Sequence, residues 1–87
     1  MYKIVYTKNA VKYIPNLKSC KLDKKVKKLI DIISNDPFQN PPPYEKLTGV
    51  LKTAYSRRIN IQHRLVYQVF EDEKIIKILS VWTHYDF

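Results

Sequence analysis

The chain has 87 residues, enough for one modest hydrophobic core that buries somewhat over ~60% of the unfolded surface and too few for two, so a multidomain or multi-cofactor enzyme is excluded. One glycine, Gly49, stands where an average composition of ~7% would give about six, which removes functions built on a glycine-rich backbone cradle, such as a P-loop, a Rossmann fingerprint or a GXXG clamp. Sixteen Lys and Arg against eight Asp and Glu give a net charge of +8 and a pI near 9.6, which in so small a domain points to a polyanionic partner: nucleic acid, an anionic membrane or an acidic protein.

In chain order, residues 2–7 (Tyr-Lys-Ile-Val-Tyr-Thr) read as a strand, and Thr7 is placed to cap a short helix carrying Ala10, Val11, Ile14 and Leu17 at helical spacing. Pro15 must kink or stop that helix. From Leu22 to Ser34 the apolar positions Leu22, Val26, Leu29, Ile30 and Ile33 form one buried stripe, with Lys21, Lys24, Lys25 and Lys28 on the outer side. Asn35-Asp36-Pro37 ends the helix, and Pro41-Pro42-Pro43 makes the following connection a stiff linker within the domain. Three runs rich in β-branched and aromatic residues follow, at 54–61, 63–70 and 75–83, joined around Gln62 and through the acidic turn Glu71-Asp72-Glu73-Lys74. The predicted fold is therefore α+β, a single domain over 1–87, with two N-terminal helices packed on one face of a small, mostly antiparallel four-stranded sheet.

A hydrophobic content of 45% with 13% aromatics is too apolar for a disordered basic tail. Cys20 has no second cysteine to pair with, which points to a reducing, cytoplasmic setting and leaves no cysteine zinc cluster. No apolar run approaches the ~18–20 residues of a membrane span, and the N-terminus reads as a strand rather than a signal segment. The expectation is a soluble protein with no membrane partner.

The charge is uneven. Residues 1–34 hold nine lysines against Asp23 and Asp31, a net +7, whereas residues 35–87 hold four lysines and all three arginines against six acids, a net +1. Lysine suits general phosphate attraction and arginine's planar fork fixes a phosphate geometrically. Lys24, Lys25 and Lys28 are accordingly candidates for contact with RNA, against the blander possibility that a charge run is only a solvated face.

Strand alternation sets Ser56, Arg58 and Asn60 on one face and Tyr55, Arg57, Ile59 and Ile61 on the other. On the next strand Leu65, Tyr67 and Val69 are the apolar set and face the core, so Arg64 shares the open face with Arg58, and Arg57 is a structural or partner contact. Trp82 and His84 share a parity, Tyr85 lies just beyond the strand, and Glu45 follows the proline run at the sheet edge. One carboxylate, two guanidiniums, one imidazole and one phenol suffice for metal-free RNA cleavage. A base takes the 2′-OH proton, arginines stabilise the charge growing on the phosphoryl oxygens, and an acid protonates the departing 5′-oxygen. His63 points the other way and reads as structural, and its separation from His84 has no zinc-ligand character.

The segments Glu45-Lys46-Leu47, Tyr55-Ser56-Arg57-Arg58-Ile59-Asn60, Gln62-His63-Arg64-Leu65-Val66-Tyr67 and Trp82-Thr83-His84-Tyr85, with Asn-Asp-Pro-Phe at 35–38, resemble the YoeB/Txe family of bacterial toxins in the RelE superfamily. The resemblance covers essentially the whole chain. It implies a RelE-like microbial RNase fold and a type II toxin that enters the ribosomal A site and cleaves mRNA there, without cofactor or metal. By position it carries the family's general base to Glu45, its phosphate-stabilising arginines to Arg64 and Arg58, its general acid to His84 and its C-terminal tyrosine to Tyr85. Lys46 and Lys52 are the accompanying RNA contacts. The pattern departs at Thr48, where family members often carry a lysine, and the chain continues past Tyr85 with Asp86-Phe87. The partners implied are the ribosome, mRNA and a cognate acidic antitoxin of the YefM/Phd kind, with operator DNA bound only as the toxin–antitoxin complex and a homodimer as a further state. The competing readings are a non-catalytic ParE-like toxin and a basic RNA-binding module on the same fold.

Overall fold

A computed structural model describes residues 1–47 and 54–82. The sheet is built from β1 (Lys3–Tyr6), β2 (Tyr44–Lys46), β3 (Ala54–Arg58), β4 (Arg64–Phe70) and β5 (Ile75–Ser80), in the spatial order β1-β5-β4-β3-β2. Among the described residues only the β1–β5 pairing is parallel, because the helices carry the chain across one face of the sheet before its last strand is reached. The remaining pairings are antiparallel, which matches the predicted meander.

The predicted sheet of four strands gains a fifth, β2, immediately after the proline run. Three residues directly after a run of prolines carry no periodicity, so alternation could not announce them. The first predicted helix is divided at Tyr13 into α1 (Lys8–Lys12) and α2 (Ile14–Ser19), with Pro15 in the first turn of the second segment, where its missing N–H is not needed. The Thr7 hydroxyl accepts from the Ala10 amide at 3.1 Å and so caps α1 as expected.

The third helix, α3 (Asp23–Asn35), lays Val26, Leu29 and Ile33 against Leu65, Tyr67 and Val69 of β4 and Ile76 and Ile78 of β5. Asp36 is extended, and its carboxylate accepts from the Phe38 amide at 3.0 Å as the chain turns into the proline segment. The other side of the sheet has a much smaller apolar cluster of Ala54, Val66 and Leu79, with Leu47 against it. That side therefore has no helical cover among the described residues. With few glycines available, the end of α2 and the β4–β5 turn place Lys21 and Lys74 in the left-handed region, at φ 60° and 55°. No helix of the described residues is long and apolar enough to cross a membrane.

Candidate functional site

Two registers build the site. Glu45 of β2 pairs with Ser56 of β3, and Arg58 of β3 pairs with Arg64 of β4. Directly paired residues project to the same face, and residues two apart on a strand do likewise, so Glu45, Ser56, Arg58 and Arg64 all stand on the helix-free side. Glu45 lies diagonal to Arg58 across the β2–β3 ladder, a separation of roughly 7–8 Å at the backbone that long side chains span. With Pro43 and Tyr44 these residues line an open concavity of about 310 Å³.

Arg58 directly opposite Arg64 is unfavourable for the fold, since like charges on paired residues repel. Among the described residues neither guanidinium is in a salt bridge. Two cations brought together without a protein carboxylate between them suit a bound anion, and arginine's fork favours a phosphate. Glu45 and Arg58 are exposed, and Ser56 between them is buried. The carboxylate and the Arg58 fork are thus open to a ligand from solvent, and the half-buried Arg64 borders the same concavity.

Lys46 pairs with Tyr55, one residue out of phase with Glu45, and strand alternation turns it toward the opposite side of the sheet. It is exposed at the edge and does not line the concavity. Lys24, Lys25 and Lys28 are exposed on α3, behind the sheet from Glu45. Lys52, His84 and Tyr85 lie outside the described residues, as does Thr48. Trp82, two positions before His84, is the last described residue, and its carbonyl accepts from the Arg64 amide at 3.5 Å. His63 is buried, with its ring stacked on Trp82 at 3.9 Å, and Trp82 is stacked in turn on Tyr13 at 6.1 Å. The structural reading of His63 holds.

Arg57 is 1% exposed and belongs to the core side, as its parity predicts. Its Nε donates to the Tyr67 hydroxyl at 3.0 Å, Nη2 to the Pro37 carbonyl at 3.0 Å and Nη1 to the Pro42 carbonyl, and the Tyr44 ring lies 5.0 Å from the guanidinium. Sequence reasoning missed β2, Tyr44 and this set of contacts. The available signal was a pair of adjacent arginines facing opposite ways, one of which must have its charge satisfied inside.

Comparison with known proteins identifies the family of the chain. The family model for YoeB-like toxins of bacterial type II toxin-antitoxin systems matches residues 8–85. Toxin YoeB of Streptomyces coelicolor is 41% identical over 56 residues, which is 64% of this chain and 67% of the relative. Among solved structures, the YoeB/ParE toxin from Agrobacterium tumefaciens superposes with a TM-score of 0.85 at 26% identity over 95% of this chain and 99% of that one. The heterotetrameric YoeB-YefM toxin-antitoxin complex from Staphylococcus aureus matches with a TM-score of 0.80 at 33% identity, over 98% of this chain and 99% of that one.

Proposed function

The chain belongs to the YoeB-like toxins of bacterial type II toxin-antitoxin systems, and from that membership we propose that it is a ribosome-dependent mRNA endoribonuclease. The observation that carries the reading is the pair of registers that sets one carboxylate and two arginines on the helix-free face of the sheet. Glu45 takes the proton of a ribose 2′-OH, and the oxygen attacks the adjacent phosphorus in line with the departing 5′-oxygen. Arg58 and Arg64 hold the phosphoryl oxygens as their charge grows. His84 protonates the leaving oxygen, and Tyr85 supports that end of the site. The products are a 2′,3′-cyclic phosphate and a 5′-hydroxyl. Lys52 adds attraction for the RNA backbone, and Lys46, turned to the other side of the edge strand, adds only to the general positive field there.

Carboxylates are feeble bases at neutral pH, so much of the rate must come from positioning. Positioning of mRNA is what a ribosomal A site supplies, and cleavage of free RNA is accordingly slow. The toxin's partner is a cognate acidic antitoxin of the YefM kind, for which a net +8 offers a complementary surface.

The test is induction in cells of wild type and of Glu45→Ala, Arg64→Ala and His84→Ala, with mRNA 5′ ends mapped. Wild type is expected to produce new ends within translated messages, and each substitution to reduce them by about 10²-fold or more. Growth arrest by wild type without new ends would instead support a non-catalytic, ParE-like action. Binding to RNA with neither arrest nor cleavage would leave a basic RNA-binding module.

A further inference from the structure

We propose that Arg57 is a positioning residue for Glu45: its buried guanidinium fastens the Pro37–Pro42 segment beneath the sheet edge and so fixes where β2 carries the carboxylate. This rests on the reading of Glu45 as the base.

The need for such a device follows from β2 itself. It has three residues and, among the described residues, lies at the edge of the sheet and pairs on one side only, with β3. A ladder that short is a weak constraint on direction and register. The chain leading into it runs through Pro41-Pro42-Pro43, which has no backbone N–H to offer a neighbouring strand. Something other than a main-chain ladder must hold this approach.

Arg57 supplies it. A guanidinium cannot lose its proton in a protein, so burying one is costly unless its donors are satisfied. Among the described residues Arg57 has no carboxylate partner, and its guanidinium donates to the Pro37 carbonyl at 3.0 Å, the Pro42 carbonyl and the Tyr67 hydroxyl at 3.0 Å. Tyr67 in turn donates to the Pro37 carbonyl at 2.8 Å, which closes a triangle between β3, β4 and the start of the proline segment. The charge is thus satisfied only when residues 37–42 are seated. Tyr44, the first residue of β2, is the cross-strand partner of Arg57 and lies over its guanidinium with 5.0 Å from ring centroid to Cζ. Phe38 and Tyr55 pack edge-on beside it, at 5.1 Å from one another. The next residue is Glu45, which alternation sends to the opposite face. The anchor behind the edge strand and the carboxylate in front of it are therefore on consecutive positions.

Lysine cannot replace this fork, because one ammonium nitrogen cannot reach acceptors arranged around a planar guanidinium. A role confined to stability would lower the unfolding temperature and leave the turnover of folded protein alone. A positioning role lowers kcat of the folded protein at constant KM, because the ribosome is still bound while the base is displaced, and a displacement of about 1 Å can cost about 10²-fold.

The experiment measures A-site cleavage by Arg57→Lys and Arg57→Met, each in the Glu45 and the Glu45→Gln backgrounds, with amide exchange at Leu47, whose N–H bonds the Ala54 carbonyl at 2.9 Å beside β2. The expected result is a kcat loss of roughly 10- to 100-fold with KM unchanged, no further loss when Glu45 is already Gln, and faster exchange at Leu47. An equal loss in both backgrounds, or unchanged exchange at Leu47, overturns the proposal. If Glu45→Gln cleaves as well as wild type, the base assignment fails, and exchange at Leu47 still decides whether Arg57 holds β2. Should the Arg57 variants not fold, Tyr67→Phe removes one acceptor from Arg57 and one donor from Pro37, and the same two readouts apply to it.

Discussion

Two adjacent arginines have opposite fates here, and residue-level chemistry explains both. Alternation alone separates Arg57 from Arg58, and the structure agrees: one is 1% exposed beneath the sheet and the other is open to solvent. What the sequence does not disclose is what Arg57 holds, since its acceptors are main-chain carbonyls of Pro37 and Pro42, and every residue carries the same carbonyl. Tyr67 completes that arrangement, and its burial pushes the phenol's pKa up, while the Arg57 hydrogen bond acts in the opposite direction. An unfolded tyrosine titrates near ~10, so the stability carried by the neutral phenol is fully present below that pH and is lost as pH rises through the higher folded value. Tyr67→Phe is therefore expected to be less stable than wild type at pH 7 by about 1–2 kcal/mol, from the lost hydrogen bonds. The gap should narrow above about pH 10, where only wild type has a phenol at this position to ionise. Urea denaturation from pH 7 to 11 measures this, and a gap that stays constant across the range would contradict it.

At the scale of elements, legibility followed periodicity. The buried stripe of α3, the apolar set Leu65, Tyr67 and Val69 and the acidic β4–β5 turn all carry repeating or punctuating signals, and each was readable. The open face was readable for the same reason, down to the shared side of Arg58 and Arg64. The short β2 was not, because its existence depends on tertiary contacts of the proline segment rather than on its own three residues. Lys46 shows the consequence: proximity to Glu45 in sequence suggested a common site, and the strand turns the two apart. The lysines of α3 stand on the far side of the sheet from Glu45. Replacing Lys24, Lys25 and Lys28 by Gln is thus expected to weaken ribosome binding and to reduce the slope of log K against log salt by up to about 2–3, with cleavage at saturating ribosome unchanged. Titration of binding at several salt concentrations checks this, and an unchanged slope would return α3 to a merely solvated face.

At the scale of the whole molecule, a sheet with helices on one side separates two kinds of positive charge. The lysine-rich first 34 residues, net +7, include the helical layer, and the arginines of the other side face a carboxylate. A domain with one glycine has no material for a backbone cradle, and the proposed site relies instead on side chains carried by strands. In the proposed mechanism the nucleophile comes from the RNA itself, activated by Glu45 over the Arg58–Arg64 pair. The most direct measurement uses ribosomes programmed with mRNA that carries a single 2′-deoxynucleotide 5′ to the scissile phosphate in the A site. Cleavage should be abolished at that position, while the all-ribose message yields a 2′,3′-cyclic phosphate and a 5′-hydroxyl. Undiminished cleavage at the deoxy position would contradict attack by the 2′-oxygen.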